Sequence, residues 1–548
     1  MAMQETDVLI VGGGPTGVTL ALELAVHKIP FRVVDKELQR SDKSRALGIQ
    51  PRTLELLNRH GDVRKLVSKG NLSSGTTFYL NGKKAADIDI SGLVEDSAFP
   101  LILIISQCET EEYLDECLAK HGFAVERGLE ATSMVQDSDG VTVKLSNSNG
   151  IEETVRAKYV VGADGAHSSV RRAATGLTFQ GAAYPQDFIL CDAHVRNSKV
   201  AWNRFSLCMG RGSLAVFPLK DGTCRVVASR LNPNTDIELT LEDFQEMLDQ
   251  LHPDAGELYD PTWITKFHLH HRGVNSYRDG RLFVAGDAAH IHSPAGAQGM
   301  NTGIQDSINL GWKLAKVIRG RRPDSFLDSY DRERRPVGQH LLETSDKLFT
   351  WGCSSNPFFI TFRNVIFTWV LPWFVSSRER RANIFKFISE FGINYRDSSV
   401  VGTAPGYLGE VMGGDRVPDK MIKSMGQERQ FLELLTPDTH HLVLFSGVGS
   451  DAITEEALRE ALTEFESKNA DEAKAHLILD EAVDGADGAD GASGTTHVDV
   501  GNHLHEGFGC SKPSYVYIRP DSYVEHIGLL SELKALLEWL EKGGISQS

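Results

Sequence analysis

The chain contains 548 residues with a formal net charge of −17, and 41% of its residues are hydrophobic and 24% charged. This length predicts several domains with an ample core, and the composition is that of a globular protein rather than a fibre or a disordered chain. The negative charge, without a basic stripe, argues against nucleic acid as a partner, and seven cysteines without a CxxC pair argue against a disulfide scaffold. Because no secretory signal opens the chain, we expect a cytoplasmic protein.

A strand–helix–strand unit is predicted at the start of the chain. An apolar strand over residues 7–11 leads into a GxGxxG turn, a helix and a second strand that ends in an acid. In such a turn the first glycine permits the bend, the second lets a pyrophosphate approach the backbone, and the third lets helix and strand pack closely. The phosphates would lie at the helix N-terminus. The candidate cofactor-binding residues of this unit are Gly12, Gly14, Pro15, Thr16, Gly17, Asp35 and Lys36.

Two similar glycine spacings, within 210–215 and 447–452, lack the helix or the acid-ended strand that should follow them. The sequence therefore predicts one dinucleotide-binding fold. If a resident cofactor occupies that fold, a nicotinamide nucleotide would have no such fold of its own and would bind only transiently.

Two further segments combine a strand with an acidic turn. In the segment 157–174, a strand is followed by Asp164 and Gly165 and then by a helix. In the segment 282–318, a strand predicted to end at Asp287 precedes a long amphipathic helix. Between them, residues 179–280 alternate between apolar and polar with turn residues at intervals, which predicts a β-sheet.

These three motifs, in this order, resemble the single-component FAD-dependent aromatic hydroxylases of the phenol and hydroxybenzoate hydroxylase kind. The stretch "SRALGIQPRTLELL" contributes the expected Arg45 and Gln50, and "ISQCETEEYLDECL" contributes the expected Gln107. The resemblance extends over essentially the whole chain, and its motifs are specific in combination.

The resemblance implies roles for individual residues. Asp164 would serve both FAD and the nicotinamide nucleotide, and Gly286 with Asp287 would hold the ribityl chain. Pro294 and Gly296 would lie beside the isoalloxazine as the residues nearest the chemistry, and no general base is assigned. Ala297 departs from the family, which commonly has a second glycine at this position. The helix that faces the flavin would open with Gly299, Met300 and Asn301.

The activity that the resemblance implies is hydroxylation of a phenolic substrate. NADPH or NADH would reduce FAD, O2 would add to the flavin at C4a, and the hydroperoxide would transfer a hydroxyl group to the ring. Three alternatives remain open: Baeyer–Villiger or decarboxylative oxygenation by the same flavin peroxide, a reductase or dehydrogenase without oxygenation, and a silent FAD-binding scaffold. We leave a homodimer open.

The predicted fold is α/β, or α+β overall. It combines a Rossmann-like FAD-binding domain, an interleaved β-sheet substrate domain and a thioredoxin-like C-terminal domain, the last by resemblance to the phenol hydroxylase branch. The C-terminal domain lacks CxxC, so a structural or oligomerisation role is favoured over dithiol chemistry. The predicted boundaries are 1–178 for the first part of the FAD-binding domain with substrate-domain strands near 75–106, 179–280 for the substrate domain, 281–350 for the second part, 351–401 for a helical connector, and 402–548 for the C-terminal domain.

Other segments have simpler interpretations. His290 and His292 lack the further ligands that a metal site needs, so we predict no metal. His268, His270 and Arg272 share one face of a predicted strand. A solvent face, an oligomer contact and catalysis all remain open for this face, and we assign no general base there.

Three segments of unusual composition complete the sequence predictions. The apolar run 356–375 contains Arg363, Asn364 and prolines, and it is interpreted as a buried or interfacial helical hairpin rather than a transmembrane helix, with peripheral membrane contact left open. The charge run that follows residue 328 is interpreted as a solvated helix face. The low-complexity stretch 483–497 is interpreted as a flexible surface insertion.

Overall fold

The computed structural model describes residues 3–41, 46–210, 212–230, 238–292, 297–352, 357–469, 472–483 and 495–544. Within these residues the strands form three large sheets and one small sheet. The α-helices of this part of the chain are α1 Pro15–Val26, α2 Pro51–Leu57, α3 Arg64–Lys69, α4 Gln107–Lys120, α5 Ser169–Ala173, α6 Leu241–Leu251, α7 Gly299–Ile318, α8 Asp328–Gly352, α9 Pro357–Val365, α10 Leu371–Ser376, α11 Arg378–Ile388, α12 Glu455–Asn469, α13 His503–Phe508 and α14 Leu533–Glu541.

The first sheet has a parallel centre that is buried on both faces. Its central strand contains a continuous apolar run, Val8 to Val11, as expected where helices cover one face and further structure covers the other. Helices α1 and α7 pack on one of its faces. Its strands, in spatial order, are Arg278–Asp279, Leu282–Val284, Glu152–Gly162, Gln4–Val11, Phe31–Asp35 and Glu126–Arg127, with Val141–Asn147 and Leu129–Gln136 extending antiparallel from Glu152–Gly162.

The second sheet contains two strands of 18 residues each, which pair antiparallel. Helix α6 covers one face with Phe244, Leu248 and Leu251. The strand His290–Ile291 pairs with the edge of this sheet directly after the Gly286–Asp287 turn, and so joins the second sheet to the first. In spatial order the strands are His290–Ile291, Glu257–Val274, Phe179–Arg196, Thr223–Arg230, Ser213–Pro218, Phe205–Met209, Gly75–Leu80 and Lys83–Asp89.

The third sheet forms the C-terminal part of the described chain, and helices α12 and α14 pack on one of its faces. The thioredoxin-like assignment of this part of the chain stays a prediction. The strands, in spatial order, are Gly402–Thr403, Val524–Leu529, Ser514–Ile518, His440–Phe445, Ala473–Asp480, Thr496–Asp499, Met421–Ser424 and Gln427–Gln430. A small sheet consists of Leu47–Ile49, Ile102–Ser106 and Asn71–Ser73.

The interpretation of 483–497 as a surface insertion is wrong at its C-terminal end. Thr496–Asp499 is a fully buried strand that lies parallel to Ala473–Asp480. Most of the low-complexity tract, residues 484–494, lies outside the described residues.

The predicted helical hairpin in the apolar run is also wrong. Helices α9 and α10 are joined by a π-helical stretch, Ile366–Val370, so the chain continues without reversing. Pro372 lies in the first turn of α10 and has no N–H to donate to the preceding turn. The wider π turn before it accommodates that missing hydrogen bond. Among the described residues, no helix is both long enough and apolar enough to cross a membrane.

The charge run in α8 is not a solvated face, because Glu333 and Arg334 are 3% and 0% exposed. Glu333 forms ion pairs with Lys313 of α7 and with Arg519. Arg519 lies in the turn between strands Ser514–Ile518 and Val524–Leu529, which we call the C-terminal hairpin. Arg334 forms an ion pair with Asp306 of α7. Sequence periodicity did not distinguish these side chains from their solvated neighbours, since their partners are 20 or more residues away.

Candidate active site

Three predicted motifs meet at one edge of the first sheet. The parallel strands place Val11 beside Gly162, and Gly162 beside Val284. Hydrogen bonds continue one residue past the strands, from Ala163 N to Val11 O at 2.8 Å and from Ala285 N to Gly162 O at 2.9 Å. The glycine turn, the Asp164 turn and the Gly286–Asp287 turn therefore lie side by side at the carboxyl ends of their strands, where open α/β sheets bind ligands.

The glycines of the first turn have different surroundings. Gly12 has φ +112°, and a Cβ on it would lie 2.2 Å from Ala163 O, while a Cβ on Gly17 would lie 1.9 Å from Gly12 O. A Cβ on Gly14 would meet nothing within 4 Å. Gly12 and Gly17 are therefore required by the fold, whereas Gly14 keeps a space open at the start of α1.

The N-terminus of α1 has no side-chain cap: Gly14 occupies the N-cap position and Pro15 the first turn. Its free backbone N–H groups therefore remain available to an anion. Thr16 lies between two glycines, since Cβ atoms on Gly286 and Gly303 would each come within 2.6 Å of its Oγ1. Thr16 thus packs α1 against α7 and the Gly286–Asp287 turn.

Asp35 fixes the shape of the glycine turn. Its Oδ2 accepts a hydrogen bond from Gly13 N at 2.6 Å, and its Oδ1 accepts one from Glu37 N at 2.8 Å. The carboxylate is half-buried and still has lone pairs for a ribose hydroxyl. Lys36 is exposed, with Glu37 at 4.0 Å.

Only one of the two carboxylate oxygens of Asp164 has hydrogen-bond partners. Its Oδ2 accepts hydrogen bonds from Ser169 N at 2.6 Å and Ser169 Oγ at 2.8 Å, whereas Oδ1 is buried without a partner. Such an acceptor is costly unless a ligand or water donates to it. Arg171 connects this turn to the third motif, because it donates to Ala166 O and to Ala288 O.

Asp287 is exposed although it lies in a buried part of the chain, which indicates that it lines an internal space. Its side chain is exposed although the residues on both sides, 282–286 and 288–290, are buried. Burial among neighbouring groups nevertheless raises the pKa of its carboxyl group. The strand ends at Val284 rather than at Asp287, which lies in a single 3-10 turn, Gly286–Ala288.

A buried cluster beneath this turn was not predicted from the sequence. Asp306 of α7 accepts hydrogen bonds from Gly286 N at 3.0 Å, from Arg334 Nε at 2.7 Å and, at 3.0 Å, shares one with His290 Nε2. Burial opposes ionisation of Asp306, but Arg334 and His290 outweigh it and hold its pKa below the usual range. An acid inside an otherwise buried helix was the only sequence signal for this cluster.

The N-terminus of α7 also has no side-chain cap and no acid in its first turn. Asn301 ties it to the segment that carries Gln50: its Oδ1 accepts from Gln50 N at 2.9 Å, and its Nδ2 donates to Gly48 O at 3.2 Å. Met300 is partly buried against the core of the first sheet. A Cβ on Gly299 would lie 2.8 Å from the Nε2 atom of His292, so the His292 ring packs closely against the start of α7.

Ala297 adopts φ +51°, a left-handed conformation that favours glycine. This is the position at which the sequence departs from the family. Its carbonyl oxygen accepts a hydrogen bond from Asn301 Nδ2 at 2.9 Å. The structure therefore keeps the backbone conformation expected of a glycine there.

The structure describes only some of the remaining predicted site residues. Gln107 is the first residue of α4 and donates to Glu111 Oε1 at 2.7 Å. Arg45, Pro294 and Gly296 lie outside the described residues. His290 and His292 stack with ring centroids 6.1 Å apart, and the described residues hold no group of three potential metal ligands.

The residues at this edge suit a dinucleotide that carries a flavin. The open space at Gly14 and the free N–H groups of α1 suit a pyrophosphate, and the unpartnered Asp164 Oδ1 and the exposed Asp287 suit hydroxyl donors. The uncapped α7 N-terminus suits negative charge.

Comparison with known proteins agrees with this arrangement. A family model described as "FAD binding domain" matches residues 5–345. The chain is 30% identical to pentachlorophenol 4-monooxygenase of Sphingobium chlorophenolicum over 529 residues, which is 95% of this chain and 93% of the relative. It is 37% identical over 348 residues to an uncharacterised aromatic compound monooxygenase, YhjG, of Bacillus subtilis (strain 168), covering 63% of this chain and 68% of the relative.

Solved structures show the same architecture. The OxyS anhydrotetracycline hydroxylase from Streptomyces rimosus superposes with a TM-score of 0.73 at 26% identity, over 99% of this chain and 100% of that one. CabE, an aromatic hydroxylase from angucycline biosynthesis, superposes with a TM-score of 0.72 at 26% identity, over 95% and 96%. The chain therefore belongs to the FAD-binding domain family and is an FAD-dependent aromatic monooxygenase.

Proposed function

We propose that this enzyme hydroxylates a substituted phenol that carries no carboxylate group, with O2 as the oxygen source and NADPH or NADH as a transient electron donor. The observation that carries the proposal is the meeting of three flavin motifs at one sheet edge, next to an apolar wall.

The apolar wall lies between the second sheet, the small sheet and α11. Leu47, Ile102 and Ile104 of the small sheet pack with Phe385 of α11. Phe205 and Phe217 of the second sheet stack against the same cluster, with ring centroids 5.4 Å apart. Leu47 is next to Gly48, which Asn301 ties to the N-terminus of α7. The wall therefore adjoins the flavin end of the proposed site. Its aliphatic residues and Phe385 are buried against one another, so the half-buried rings of Phe205 and Phe217 would be the part that meets the substrate, and they favour an alkyl- or halogen-substituted phenol over a phenolic acid.

The near full-length likeness to a pentachlorophenol 4-monooxygenase supports the same class of substrate. That relative acts, by its name, on a halogenated phenol. A neutral or weakly acidic ring with apolar substituents would suit both the wall and the relative.

The chain's own residues would bind and orient the reactants. Gly14 and the α1 N-terminus would hold the pyrophosphate, Asp35 a ribose hydroxyl, and Asp164 and Asp287 further hydroxyl groups. FAD, when bound, supplies electron transfer and oxygen activation. The α7 N-terminus would stabilise negative charge at the flavin by about 0.3–1 kcal/mol, or ~2 kcal/mol when partly buried. Pro294 and Gly296 stay proposed as the residues beside the ring.

The proposed domain division follows the sheets. Most strands of the first sheet come from the FAD-binding parts 1–178 and 281–350, and most strands of the second sheet come from 179–280, with two from within 75–106. Two short strands cross these boundaries: Arg278–Asp279 lies in the first sheet and His290–Ile291 in the second. Residues 351–401 form the connector and 402–548 the C-terminal domain. With one dinucleotide-binding fold, we expect the nicotinamide nucleotide to leave after it reduces the flavin.

A substrate screen tests this proposal. NADPH and NADH oxidation by the FAD-loaded enzyme should be slow alone and markedly faster with alkyl or chlorinated phenols. Matched benzoic acids with the same ring hydroxyl should stimulate weakly. Stronger stimulation by the acids would contradict the assignment of the wall, and no stimulation by any phenol would contradict the proposed substrate class.

A further inference from the structure

Exposed apolar side chains are concentrated on one helical segment of the connector. Eighteen large hydrophobic residues of the described chain are exposed, and six of them lie within 13 residues of this segment. We call these six the aromatic stripe: Phe362, Val365, Trp369, Val370, Trp373 and Phe374. Trp369 and Trp373 are 75% and 62% exposed. Scattered exposed hydrophobic residues are normal, but a contiguous group marks an interaction surface.

The segment presents opposite faces to the protein and to its surroundings. Phe367 and Val375 are each 7% exposed, and the Phe367 ring lies 5.6 Å from the Phe78 ring of the second sheet. Positions 362, 365, 369 and 373 follow each other at intervals of three or four residues, so they share one side of the helix. The helix thus rests on the sheet edge through one face and leaves the aromatic stripe on the outside.

Basic side chains adjoin the aromatic stripe. Helix α11 follows directly and carries Arg378, Arg380, Arg381 and Lys386 against one acid, Glu379, a local charge of +3 in a chain of −17. The Arg380 guanidinium lies over the Trp373 ring at 4.1 Å and near the Phe374 ring at 5.4 Å. The nearby Arg378 is paired with Glu95 at 2.7 Å.

Tryptophan and phenylalanine beside arginine are the composition of helices that lie at a bilayer interface, where the rings enter the acyl boundary and the cations meet lipid phosphates. A second copy of this chain fits less well. A two-fold contact would bring two α11 helices of charge +3 together, which is repulsive.

We propose that the aromatic stripe and α11 dock the enzyme on the surface of an anionic lipid bilayer. The docking is peripheral, and the described residues contain no helix that could span the bilayer. The proposal is independent of the enzyme's substrate.

Vesicle flotation of the FAD-loaded enzyme tests the proposal. The wild type should float with phosphatidylcholine vesicles that contain phosphatidylglycerol, bind pure phosphatidylcholine more weakly, and show a blue shift of tryptophan fluorescence. Trp369→Ser with Trp373→Ser should reduce partitioning by about tenfold per ring. Arg380→Glu with Lys386→Glu should remove the preference for anionic vesicles, and so should ~1 M salt.

Tyr259→Ser is the matched control, because it removes an exposed aromatic ring from a distant strand and should leave binding unchanged. Retained flavin absorbance verifies that each variant is folded. Failure of the wild type to bind vesicles, or equal binding by the double tryptophan variant, overturns the proposal. A dimer in sedimentation that the double tryptophan variant abolishes also overturns it, because the surface would then join two copies of the chain.

Discussion

Gly14 and Gly17 belong to the same motif but are required for different reasons. A Cβ on Gly17 would collide with Gly12 O at 1.9 Å, whereas a Cβ on Gly14 would enter open space. Gly14 also has φ −82° and ψ −175°, an extended conformation that any residue adopts. The fold therefore requires Gly17, while only a bound group would require Gly14.

Substitution separates these two roles. Gly14→Val should give a folded protein with little FAD, because the side chain would fill the space proposed for the pyrophosphate. Gly17→Val should lower the melting temperature even without FAD. Flavin absorbance per mole of protein and thermal melting of the apoprotein provide the two measurements. Full flavin occupancy in Gly14→Val would contradict the assignment of the turn.

The Asp287 side chain is exposed at the sheet edge between buried neighbours, so it is free to accept a hydrogen bond from a bound group and contributes little packing to the fold. We expect Asp287→Ala to lose FAD affinity while the apoprotein melts at the same temperature as the wild type or higher. Asp306→Ala is the contrasting variant, because it leaves Arg334 buried without its partner and should cost about 3–5 kcal/mol of folding free energy. An Asp287→Ala protein with wild-type flavin affinity would remove Asp287 from the site.

Sequence reasoning found the residues whose spacing is local. The glycine turn, Asp35, Asp164 and Asp287 each follow a recognisable strand, so pattern and geometry coincide. Asp306 and Arg334 were missed because each finds its partner in another element, and a buried ion pair leaves no periodic signature.

At the scale of elements, the C-terminal hairpin is connected to the FAD-binding helices by buried charges. Arg519 contacts both oxygens of Glu333 at 2.9 Å, and Lys313 contacts the same carboxylate at 2.7 Å. Burial lowers the pKa of Lys313 to about 8 although Glu333 opposes this. The backbone carbonyl oxygens of Asp521 and Ser522 also accept hydrogen bonds from Arg52. The hairpin therefore braces α7 and α8.

Disruption of this brace has a predictable cost. Arg519→Met should lower the free energy of unfolding by about 3–5 kcal/mol, because Glu333 keeps its charge with one cation fewer. Arg519→Met combined with Glu333→Gln should cost less than the two single variants added together, since each single variant alone already breaks the Arg519–Glu333 ion pair. Urea unfolding of the wild type, the two single variants and the double variant measures the coupling energy between Arg519 and Glu333. Strictly additive effects would show that the two side chains act independently.

The helix after the glycine turn, α1, and the start of α7 at Gly299 were predicted correctly from their sequence patterns. The helices of the connector were not predicted correctly. The prolines indicated a break in the helix, but the π turn Ile366–Val370 accommodates Pro372 without one. The strand Thr496–Asp499 was missed because low-complexity sequence precedes it and the strand itself is short.

At the scale of the whole molecule, buried histidines make stability depend on pH. Burial lowers the pKa of His27, His252, His441, His497 and His526 from 6.5 to about 4. Between these values the unfolded chain binds more protons than the folded one, so stability falls as the pH falls from 6.5 towards 4. Burial raises the pKa of Glu390 to about 8 and of Asp419 to about 7, and these two carboxyl groups oppose the trend.

His252 allows this effect to be isolated. It is buried, stacks on Tyr79 and shares a hydrogen bond with Ser206 Oγ at 3.0 Å. His252→Gln should flatten the dependence of the melting temperature on pH between 6.5 and 4, because one proton-binding difference is removed. His121→Gln, at an exposed position, should preserve the wild-type slope. Identical slopes in all three proteins would contradict the role given to burial.

Isotopic labelling shows whether the enzyme transfers one atom of O2 to a phenolic ring. The FAD-loaded enzyme is supplied with NADPH or NADH, a phenol that accelerates cofactor oxidation, and 18O-labelled dioxygen. We expect one labelled oxygen atom in the hydroxylated product, detected by mass spectrometry. Label found only in hydrogen peroxide or water, for every phenol that stimulates turnover, would contradict it.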